Sequence, residues 1–575
     1  MRNTAALQAA PPSNRTAAET AATTWTIARS EWRFVWILIV SILALTTVPY
    51  LFAWLTAPAD MHFMGMMLDV PDHLQYFSWM RELSTAPLAA NKLTPEANDP
   101  VFFNLLWWAL GRLSVLTGLG SAAVFQILRW VSTAAFFVLV YRLAALFFAE
   151  PRPRRTALLI TAFGSGLGWI LVVLKYTIAN GELINPLDLY VAEGNTFLCI
   201  LGYPHFVAAA LYAFVFDVVL RGWRSRPLRT FIIAGLIALF FGLQHAYDLI
   251  IVWAVLGAWA GLMALRDRRI ALWPALGIAI VGAISVWPAL YSVLLTTVSP
   301  LWKEVLAQFD NAGVFTPPPW RLPVLLGIPF VLALICELRA RPWRLQGQDD
   351  HTLFLRGWFW ISFVLVYLPV DYQIHMLNGW QIPIAFIATY GLYDWLAPAL
   401  AAWWHGRRSA RVLSLAGAQR WVVALCLLAI VPTNLYLFAW RFVDLGRYAN
   451  PYFLHSSEVA ALDWLEANAA PDDRVLSALA FGQFVPAETG TYAFLAHWAQ
   501  TVDFFAKQRA VHDFYDPATS NSTRATLLDE FSVDYVLHGP SEEALGPWSP
   551  DAMPQLTSRF TTPTVTIYAY APAQP

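Results

Sequence analysis

Residues 68–81 read LDVPDHLQYFSWMR and place two carboxylates and an imidazole within five positions, at Asp69, Asp72 and His73. This stretch follows at once on the first strongly apolar run of the chain. Ionisable groups are costly beside lipid, so a cluster next to a membrane span is a candidate functional site. The pattern also fits a helix start, with Asp69 as the cap, Pro71 in the first turn and Asp72 three positions on. The sequence leaves both interpretations open, because one carboxylate can cap while the other does chemistry.

Composition indicates a polytopic membrane protein. Of 575 residues, 58% are hydrophobic and only 13% are charged, whereas soluble domains are about 45–50% apolar. The net charge of −1 provides no extended basic field, so no nucleic-acid partner is expected. The three cysteines are scattered in apolar surroundings, which favours packing over a disulfide framework or a metal site.

Eleven apolar runs predict membrane-spanning helices, each about 20 residues long or somewhat shorter where helices pack together. They centre on residues 34–56, 121–148, 156–176, 203–220, 230–246, 249–265, 270–294, 321–338, 354–370, 379–397 and 420–442. A further apolar segment, residues 102–119, is interrupted by Trp107, Trp108 and Arg112 and is predicted to be an interfacial helix. The predicted fold class is therefore an all-α polytopic membrane domain, followed by a small α/β domain.

Arginines occur in every second connection between the predicted spans. Clusters follow the second, fourth and sixth spans, at residues 152–155, 221–229 and 266–269. Because Lys and Arg accumulate in cytoplasmic loops, these connections are predicted to be cytoplasmic and the alternate loops external. The N-terminus is then cytoplasmic, and the region after the eleventh span is extracytoplasmic.

Changes in composition predict three parts of the chain. Residues 1–30 are polar and Ala/Thr-rich, which is typical of a disordered cytoplasmic tail. Residues 31–445 form the transmembrane domain, with a first external loop at 57–120. Residues 456–575 are soluble in character and form the extracytoplasmic α/β domain. Its predicted strands are 474–479, 533–538 and 564–570, and its predicted helices include 501–514 and 522–531.

The predicted external loops collect the unusual polar residues. Four of these five loops carry a histidine in the same loop as a carboxylate, which favours one shared cavity over isolated interfacial histidines. The candidate substrate-binding residues are His73, Tyr76, Glu96, His205, His245, Asp248, Gln373 and His375. An ordinary turn is the alternative for Glu96, and a helix cap is the alternative for Asp248.

The candidate residues suit transfer chemistry at a phosphate. The sequence contains no Walker A loop, no HExxH motif and no GxSxG motif. A carboxylate can take the proton of an acceptor hydroxyl as general base, while His, Gln and Arg hold a phosphate leaving group. A transferase with a lipid-phosphate donor at the outer membrane face needs this combination. Metal binding by the loop histidines is an alternative, but their spacing shows no ligand pattern.

The order of several short motifs resembles the GT-C superfamily of membrane glycosyltransferases, which use polyprenyl-phosphate sugars. This class includes protein O-mannosyltransferases and lipid A aminoarabinose transferases, and the resemblance is closer to a loosely characterised bacterial branch. The motifs are DHLQY at 72–76, TPE at 94–96, YPH at 203–205, HAYD at 245–248, the segment 373–383, VPAETG at 485–490 and HWAQT at 497–501.

The resemblance implies a function and a location. A hexosyl or pentosyl group would pass from a polyprenyl-phosphate donor in the lipid bilayer to an acceptor hydroxyl, with inversion, on the extracytoplasmic face of a bacterial inner (plasma) membrane. The acidic residue in the first external loop is the catalytic base of this superfamily, which here implies Asp72 or Asp69. The resemblance names no particular sugar, lipid carrier or acceptor.

Asp72 is the first choice for the base, because it begins a helix whose following face carries Tyr76 and Met80. Asp69 is the second choice, or a partner of a metal or a sugar hydroxyl. The Asp-x-x-Asp pattern stands where mannosyltransferases have adjacent Asp-Glu, so the matching carboxylate stays undecided. No cofactor is certain; a divalent cation, if one binds, would use Asp69 and Asp72.

Two other classes of function fit the chain. A transporter or flippase of a lipid-linked substrate should carry acidic residues near span midpoints and paired interrupted helices, but the carboxylates lie mostly in predicted external loops. A non-catalytic assembly protein of the same fold is excluded only by activity. In the C-terminal region His497, Asp503, Lys507 and Arg509 are candidates for contact with the acceptor or donor headgroup, although surface and packing roles are favoured.

Overall fold

The computed structural model describes residues 26–183, 186–308, 315–406 and 413–572. The predicted disordered tail thus lies outside the described residues, except for residues 26–30. The helices of the first 450 residues are α1 (Arg29–Thr56), α2 (Val70–Thr85), α3 (Leu105–Thr117), α4 (Ser121–Phe147), α5 (Pro151–Phe163), α6 (Gly168–Thr177), α7 (Thr196–Gly202), α8 (Pro204–Ala209), α9 (Phe214–Gly222), α10 (Pro227–Gly242), α11 (Asp248–Asp267), α12 (Leu272–Val298), α13 (Pro300–Ala307), α14 (Leu322–Ala340), α15 (Asp350–Leu365), α16 (Gln381–Tyr390), α17 (Ala397–Gly406), α18 (Leu415–Ile430) and α19 (Pro432–Leu445).

Each of the eleven predicted spans coincides with helix. In the described part of the chain, eight helical runs are long and apolar enough to cross a membrane, or nine if α5 and α6, which are bent by 42°, form one span. The other two predicted spans are α10 and α15, which have 16 residues each. They are shorter than the ~20 residues that cross a hydrocarbon core, so length supports eight or nine spans instead of eleven. The all-α polytopic class is confirmed.

Helix α3 covers the ambiguous apolar segment. The side chain of Asn104 caps it by accepting hydrogen bonds from the N–H groups of Leu106 (2.9 Å) and Trp107 (3.2 Å). Gly118 ends it in the left-handed conformation, at φ 69°. With 13 residues, α3 is about 20 Å long and too short to cross the membrane. Its location at the interface stays a prediction.

Helices α2 and α3 approach each other closely at Gly111. A Cβ atom at this position would lie 2.2 Å from the carbonyl oxygen of Met80 and 3.2 Å from the backbone nitrogen of Ser84. Both neighbours are backbone atoms of α2, so they cannot turn aside as a flexible side chain would. The absence of a side chain at Gly111 therefore sets the distance between α3 and the helix that follows Asp69.

Replacing Gly111 by Ala is expected to destabilise the protein by about 1–3 kcal/mol, because overpacking forces the two helix backbones apart. Thermal unfolding in detergent would show this as a lower melting temperature. Gly261→Ala is the matched control, since nothing lies within 4 Å of a Cβ at that helical position and alanine favours helix over glycine by up to ~1 kcal/mol. Equal melting temperatures for the two variants would contradict the close approach of α2 and α3.

The C-terminal region forms a small α/β domain around a mixed five-stranded sheet. Its elements and the two short strands beside it are β1 (Met61–Phe63), β2 (Phe453–His455), α20 (Ser456–Asn468), β3 (Arg474–Leu476), α21 (Leu479–Gly482), α22 (Val485–Thr489), β4 (Tyr492–Ala493), α23 (Phe504–Tyr515), α24 (Asn521–Glu530), β5 (Tyr535–His538), α25 (Pro540–Glu543), β6 (Leu556–Thr561) and β7 (Thr566–Tyr570). The strand order is β4-β3-β5-β7-β6. Strand β3 runs parallel to β4 and β5, and β7 runs antiparallel to β5 and β6.

The three predicted strands correspond to β3, β5 and β7. The sequence patterns did not indicate β4 and β6. Strand β4 has only two residues, and β6 is an edge strand with mostly exposed side chains, so neither carries a hydrophobic alternation. The predicted small α/β domain is confirmed, while its exact boundaries stay a prediction.

Residues 57–104 fix the C-terminal domain to the membrane domain. Strand β1 pairs antiparallel with β2. Lys92 is buried, and its ammonium donates to the carbonyl oxygens of Gly490 (2.6 Å) and Pro471 (3.1 Å) and pairs with Glu82 at 3.0 Å. The N–H of Ala493 donates to the carbonyl of Lys92 at 2.9 Å. These contacts hold the C-terminal domain against the segment around α2.

Candidate active site

A cavity of about 950 Å³ lies beneath the C-terminal domain. Its walls come from α2 and α3, from the segments that lead into α8 and α11, from the second half of α12, from residues 371–375 and from residues 497–500. The six predicted residues that line it are Asp69, Asp72, Tyr76, His205, His245 and His375. Side chains from four separate loops thus meet in one place, while their chemical roles stay predictions.

Asp69 precedes the first residue of α2 and has left-handed backbone angles, φ 42° and ψ 55°. Its side chain makes no capping hydrogen bond, so the interpretation of Asp69 as a side-chain cap is wrong. The carboxyl group lies instead beside that of Asp72, within hydrogen-bonding reach. Burial, together with the adjacent charge of Asp72, raises the pKa of Asp69 well above its ordinary value. The shift favours the protonated form of Asp69.

Asp72 lies in the first turn of α2 and is held by the C-terminal domain. Its Oδ1 atom accepts hydrogen bonds from Nε2 of His497 at 2.9 Å and from the indole N–H of Trp498 at 3.3 Å. Burial alone raises the pKa of Asp72, but the hydrogen bond to His497 and the other favourable contacts outweigh it, so the pKa falls below its ordinary value. The two carboxyl groups therefore differ, because the pKa of Asp69 is raised and that of Asp72 is lowered.

His73 and Tyr76 follow on the same helix. His73 is buried, and its Nδ1–H donates to the carbonyl of Asp69 at 2.8 Å; this bond supports the backbone at Asp69. Burial lowers the pKa of His73. His73 does not line the cavity. Tyr76 does, with its ring stacked on Trp107 at a centroid distance of 4.4 Å and its hydroxyl 3.5 Å from Nε2 of His205.

Three histidines form another part of the cavity wall. The ring centroids of His205 and Phe206 are 4.2 Å apart. The Phe206 centroid lies 6.0 Å from that of His245 and 5.7 Å from that of His375. Nδ1 of His205 is buried without a hydrogen-bond partner. His375 stacks on Tyr247 at 5.3 Å. One aromatic layer therefore holds the three imidazoles together.

The carboxylates around these imidazoles determine what each ring can bind. His245 uses both nitrogens, Nδ1 with Asp248 at 2.9 Å and Nε2 with the hydroxyl of Tyr247. His375 uses Nδ1 with the carboxylate of Glu193. Among the described residues, no hydrogen bond occupies Nε2 of His375. His205 and His375 thus each have one nitrogen for a further partner.

Three other predicted site residues lie outside the cavity wall. Glu96 binds Thr94 and the ammonium of Lys507 at the junction with the C-terminal domain. Asp248 orients His245 and accepts from the amide of Asn378 at 3.3 Å, so it supports the site and is more than a helix cap. Gln373 starts a short 3-10 turn, residues 373–377, and does not line the cavity.

Two residues of the cavity wall, Glu193 and Trp498, have no role among the sequence-based predictions. His497, for which a packing or surface role is favoured from sequence, contacts Asp72. The HWAQT motif contained the available signal for His497 and Trp498, but no local pattern links a segment near residue 500 with a helix that starts at residue 70.

The charge of the cavity is unusual for a phosphate site. Among the described residues that line it there is no Lys and no Arg. The acidic side chains of the wall are Asp69, Asp72, Glu193 and Asp371, and the pKa of Asp69 is raised. Among the described lining residues, positive charge can come only from imidazoles. A ligand that carries a single negative charge therefore suits the cavity better than a more highly charged one.

Asp69 and Asp72 are the predicted ligands of a divalent cation. The described residues contain no group of three or more His, Cys, Asp or Glu side chains that could hold a metal ion. Oδ1 of Asp72 accepts hydrogen bonds from two N–H groups. A divalent cation at Asp69 and Asp72 stays a prediction.

Comparison with known proteins shows similarity of fold at low sequence identity. No protein-family model matches the chain. A cbb3-type cytochrome c oxidase subunit, CcoN1 of Stutzerimonas stutzeri, is 21% identical over 217 residues, which are 36% of this chain and 41% of that protein. The match therefore spans less than half of that relative.

Solved structures match over almost the whole chain. Arabinofuranosyltransferase AftD from Mycobacteria is similar with a TM-score of 0.55, at 16% identity over 95% of this chain and 40% of AftD. The Archaeoglobus fulgidus oligosaccharyltransferase gives 0.51, at 13% identity over 92% and 73% of the two chains. ArnT from Cupriavidus metallidurans gives 0.50, at 13% identity over 94% and 98%. At these identities the likeness concerns the fold alone. The chain has the fold of the GT-C membrane glycosyltransferases, as the motif order predicted.

Proposed function

We propose that this protein is a membrane glycosyltransferase that moves a sugar from a polyprenyl-phosphate donor to an acceptor hydroxyl, with Asp72 as general base. The observation that carries the proposal is the Asp72 carboxylate, which His497 and Trp498 hold at the wall of a cavity of about 950 Å³ in a GT-C fold. Its pKa is lowered, and an ionised carboxylate can accept a proton. The raised pKa of Asp69 favours its protonated form, so Asp69 is the less suitable base.

The reaction assigns a role to each part of the wall. Asp72 takes the proton of the acceptor hydroxyl, and the hydroxyl oxygen forms a bond with the anomeric carbon of the donor sugar. The bond between that carbon and the phosphate oxygen breaks, and polyprenyl phosphate leaves with the electron pair. Attack opposite the leaving group inverts the configuration at the anomeric carbon. The reaction is the same for a hexosyl and a pentosyl donor.

The imidazoles are the proposed phosphate-binding groups. His375 is paired with Glu193, which favours the cationic form of its ring, and its Nε2 is available to donate to a phosphate oxygen. His205 lies beside it with one unpartnered nitrogen. Hydrogen bonds from charged donors are stronger than neutral ones, so this wall stabilises the negative charge that develops on the leaving group.

An apolar wall suits the lipid part of the donor. The second half of α12 contributes Pro288, Val293 and Leu295 to the cavity. Their neighbours Leu294 and Val298 are 59% and 73% exposed, so this helix presents apolar side chains on its outer surface as well. A prenyl chain would thus find apolar contacts from the cavity to the surroundings of the helix bundle.

A panel of radiolabelled polyprenyl-phosphate sugars tests the proposal. Each donor is given to the purified wild-type protein with membrane extracts as the source of acceptors, and water-soluble, lipid-linked and acceptor-linked label are separated. We expect one donor to lose its label to an acceptor, with release of unlabelled polyprenyl phosphate. A folded protein that consumes no donor in the panel would contradict the proposed function.

A further inference from the structure

We infer that His497 is a positioning residue of the active site, which holds the Asp72 carboxylate at the cavity wall through a donor with a fixed tautomer. The inference rests on the proposed function and extends it, because it makes the C-terminal domain a part of the site. The contact joins residues that lie 425 positions apart in the chain.

The backbone of the C-terminal domain selects the tautomer of His497. Nδ1 accepts hydrogen bonds from the N–H groups of Ala499 at 3.0 Å and Gln500 at 3.2 Å. A ring nitrogen that accepts N–H groups carries no proton, so the proton of the neutral ring lies on Nε2. Nε2–H then donates to Oδ1 of Asp72 at 2.9 Å. The ring always presents a donor to the carboxylate.

The segment around His497 is itself fixed by the first external loop. Oγ1 of Thr501 accepts the N–H groups of Ala496 and His497, each at 3.1 Å, and donates to the carbonyl of Leu93 at 2.5 Å. The N–H of Val502 donates to Oγ1 of Thr94 at 3.0 Å. The His497 side chain is only 1% exposed, so the ring has no room to turn away. The loop that follows α2 therefore sets the position of the group that holds Asp72.

The chemical surroundings explain why Asp72 needs this partner. The titratable groups that interact electrostatically with it include Asp69, His73, Tyr76, Tyr203, Tyr247, His375 and His497. Asp69 lies beside it with a raised pKa, and His73 is directed to the carbonyl of Asp69. Within the described residues, His497 and Trp498 are the two side chains that donate to Oδ1. Hydrogen bonds from both keep this oxygen on the side of the cavity that the C-terminal domain forms.

Two substitutions separate this role from a purely structural one. Asn at position 497 keeps an oxygen near the place of Nδ1, so it can still accept the two backbone N–H groups, but it is too short to reach Asp72. Gln at position 497 places an amide N–H near the position of Nε2 but loses the acceptor for the loop. His497→Asn thus keeps the hydrogen bonds with the backbone of the loop, and His497→Gln keeps the hydrogen bond with Asp72.

We expect His497→Asn to lower kcat about tenfold or more and to change the KM for the donor by less than about twofold, since a hydrogen bond to a charged group is worth roughly 1.5–3 kcal/mol. His497→Gln should keep kcat within about threefold of wild type. His512→Asn, on the exposed side of α23, is the control and should match wild type. A structural role alone would give the opposite order, with the Gln variant impaired and the Asn variant active.

A second measurement decides the inference without turnover. Carbodiimides modify protonated carboxyl groups, and peptide mass spectrometry resolves Asp72 from Asp69. Modification of Asp72 at neutral pH should be about tenfold faster in His497→Asn than in wild type and nearly unchanged in His497→Gln. Equal rates in all three proteins, or an unchanged kcat in His497→Asn, would overturn the inference. A wild-type protein that transfers no sugar while labelling follows the expected order would overturn the proposed function and leave the role of His497 intact.

Discussion

The Asp72→Asn protein is expected to fold as the wild type does and to transfer sugar about 10²–10⁴-fold more slowly, which is the usual contribution of a general base. Asparagine retains the shape of the side chain and can still accept the hydrogen bonds from His497 and Trp498. It cannot take a proton from the acceptor hydroxyl. The loss should therefore appear in kcat, while the KM for the donor changes little. Steady-state kinetics with the donor found in the panel measure both quantities.

The matched variant Asp69→Asn should lose less than about tenfold in kcat. The pKa of Asp69 is raised, so a neutral amide resembles the protonated form that this shift favours. Asparagine also tolerates the left-handed backbone of this position better than most residues. Asp99→Asn, an exposed change in the segment between α2 and α3, should have wild-type kinetics. A folded Asp72→Asn protein with wild-type kcat, or an Asp69→Asn protein that is equally inactive, would remove Asp72 from the role of base.

The same pair predicts the pH dependence of kcat/KM. As the pH falls through the lowered pKa of Asp72, the base becomes protonated and activity is lost. As the pH rises through the raised pKa of Asp69, a second negative charge appears beside Asp72 and repels the anionic donor, so activity is lost again. Asp69→Asn should keep the acid limb and lack the alkaline limb that Asp69 causes. Because the two carboxyl groups interact, the apparent pKa of each limb of the pH profile belongs to the pair and not to one residue.

His375→Gln is expected to weaken donor binding by about 10–100-fold, because it removes the imidazole N–H of a ring paired with Glu193, and a hydrogen bond between this group and a charged phosphate is worth roughly 1.5–3 kcal/mol. No Lys or Arg among the described lining residues can replace it. The change should appear as a higher KM, or as weaker binding of unlabelled polyprenyl phosphate, with kcat less affected. Glu193→Gln should act in the same direction, since its carboxylate holds the imidazole.

His405→Gln is the control for this substitution, because His405 is exposed at the end of α17, where its Nδ1 bonds to the carbonyl of Ala401. A diphosphate-linked polyprenyl sugar serves as a second probe. Its additional negative charge meets no Lys or Arg among the described lining residues, which include Asp72 and Glu193, so it should bind at least about tenfold more weakly than the monophosphate-linked sugar. Unchanged donor affinity in His375→Gln would show that the phosphate is held elsewhere.

The membrane architecture was largely predictable because apolar length is a local property. Each predicted apolar run coincides with helix, and two of these helices, α10 and α15, are shorter than a full span. Their lengths depend on where a neighbouring helix and a turn end the apolar segment, and hydropathy does not contain that information. The strands β3, β5 and β7 were visible from alternation, whereas the exposed edge strand β6 was not.

The candidate site was predictable in its residue types and only partly in its contacts. Asp69, Asp72, His205, His245 and His375 were identified as a set because ionisable groups are rare and costly in such a chain. The sequence did not settle which carboxylate is the base, since Asp69 and Asp72 are chemically identical and three positions apart. Burial and a hydrogen bond from a distant domain separate the two, and neither is encoded in their immediate neighbours.

The sequence by itself determined that this chain is a polytopic helical membrane protein with acidic and imidazole groups at the ends of its spans. Hydropathy and charge act within a few turns of helix, so composition and periodicity were sufficient for that much. Only the tertiary structure decided that the pKa of Asp72 is lowered, that the pKa of Asp69 is raised and that His497 reaches the cavity. Those outcomes depend on which groups lose water and which donors arrive from remote segments, and both are set by packing in three dimensions.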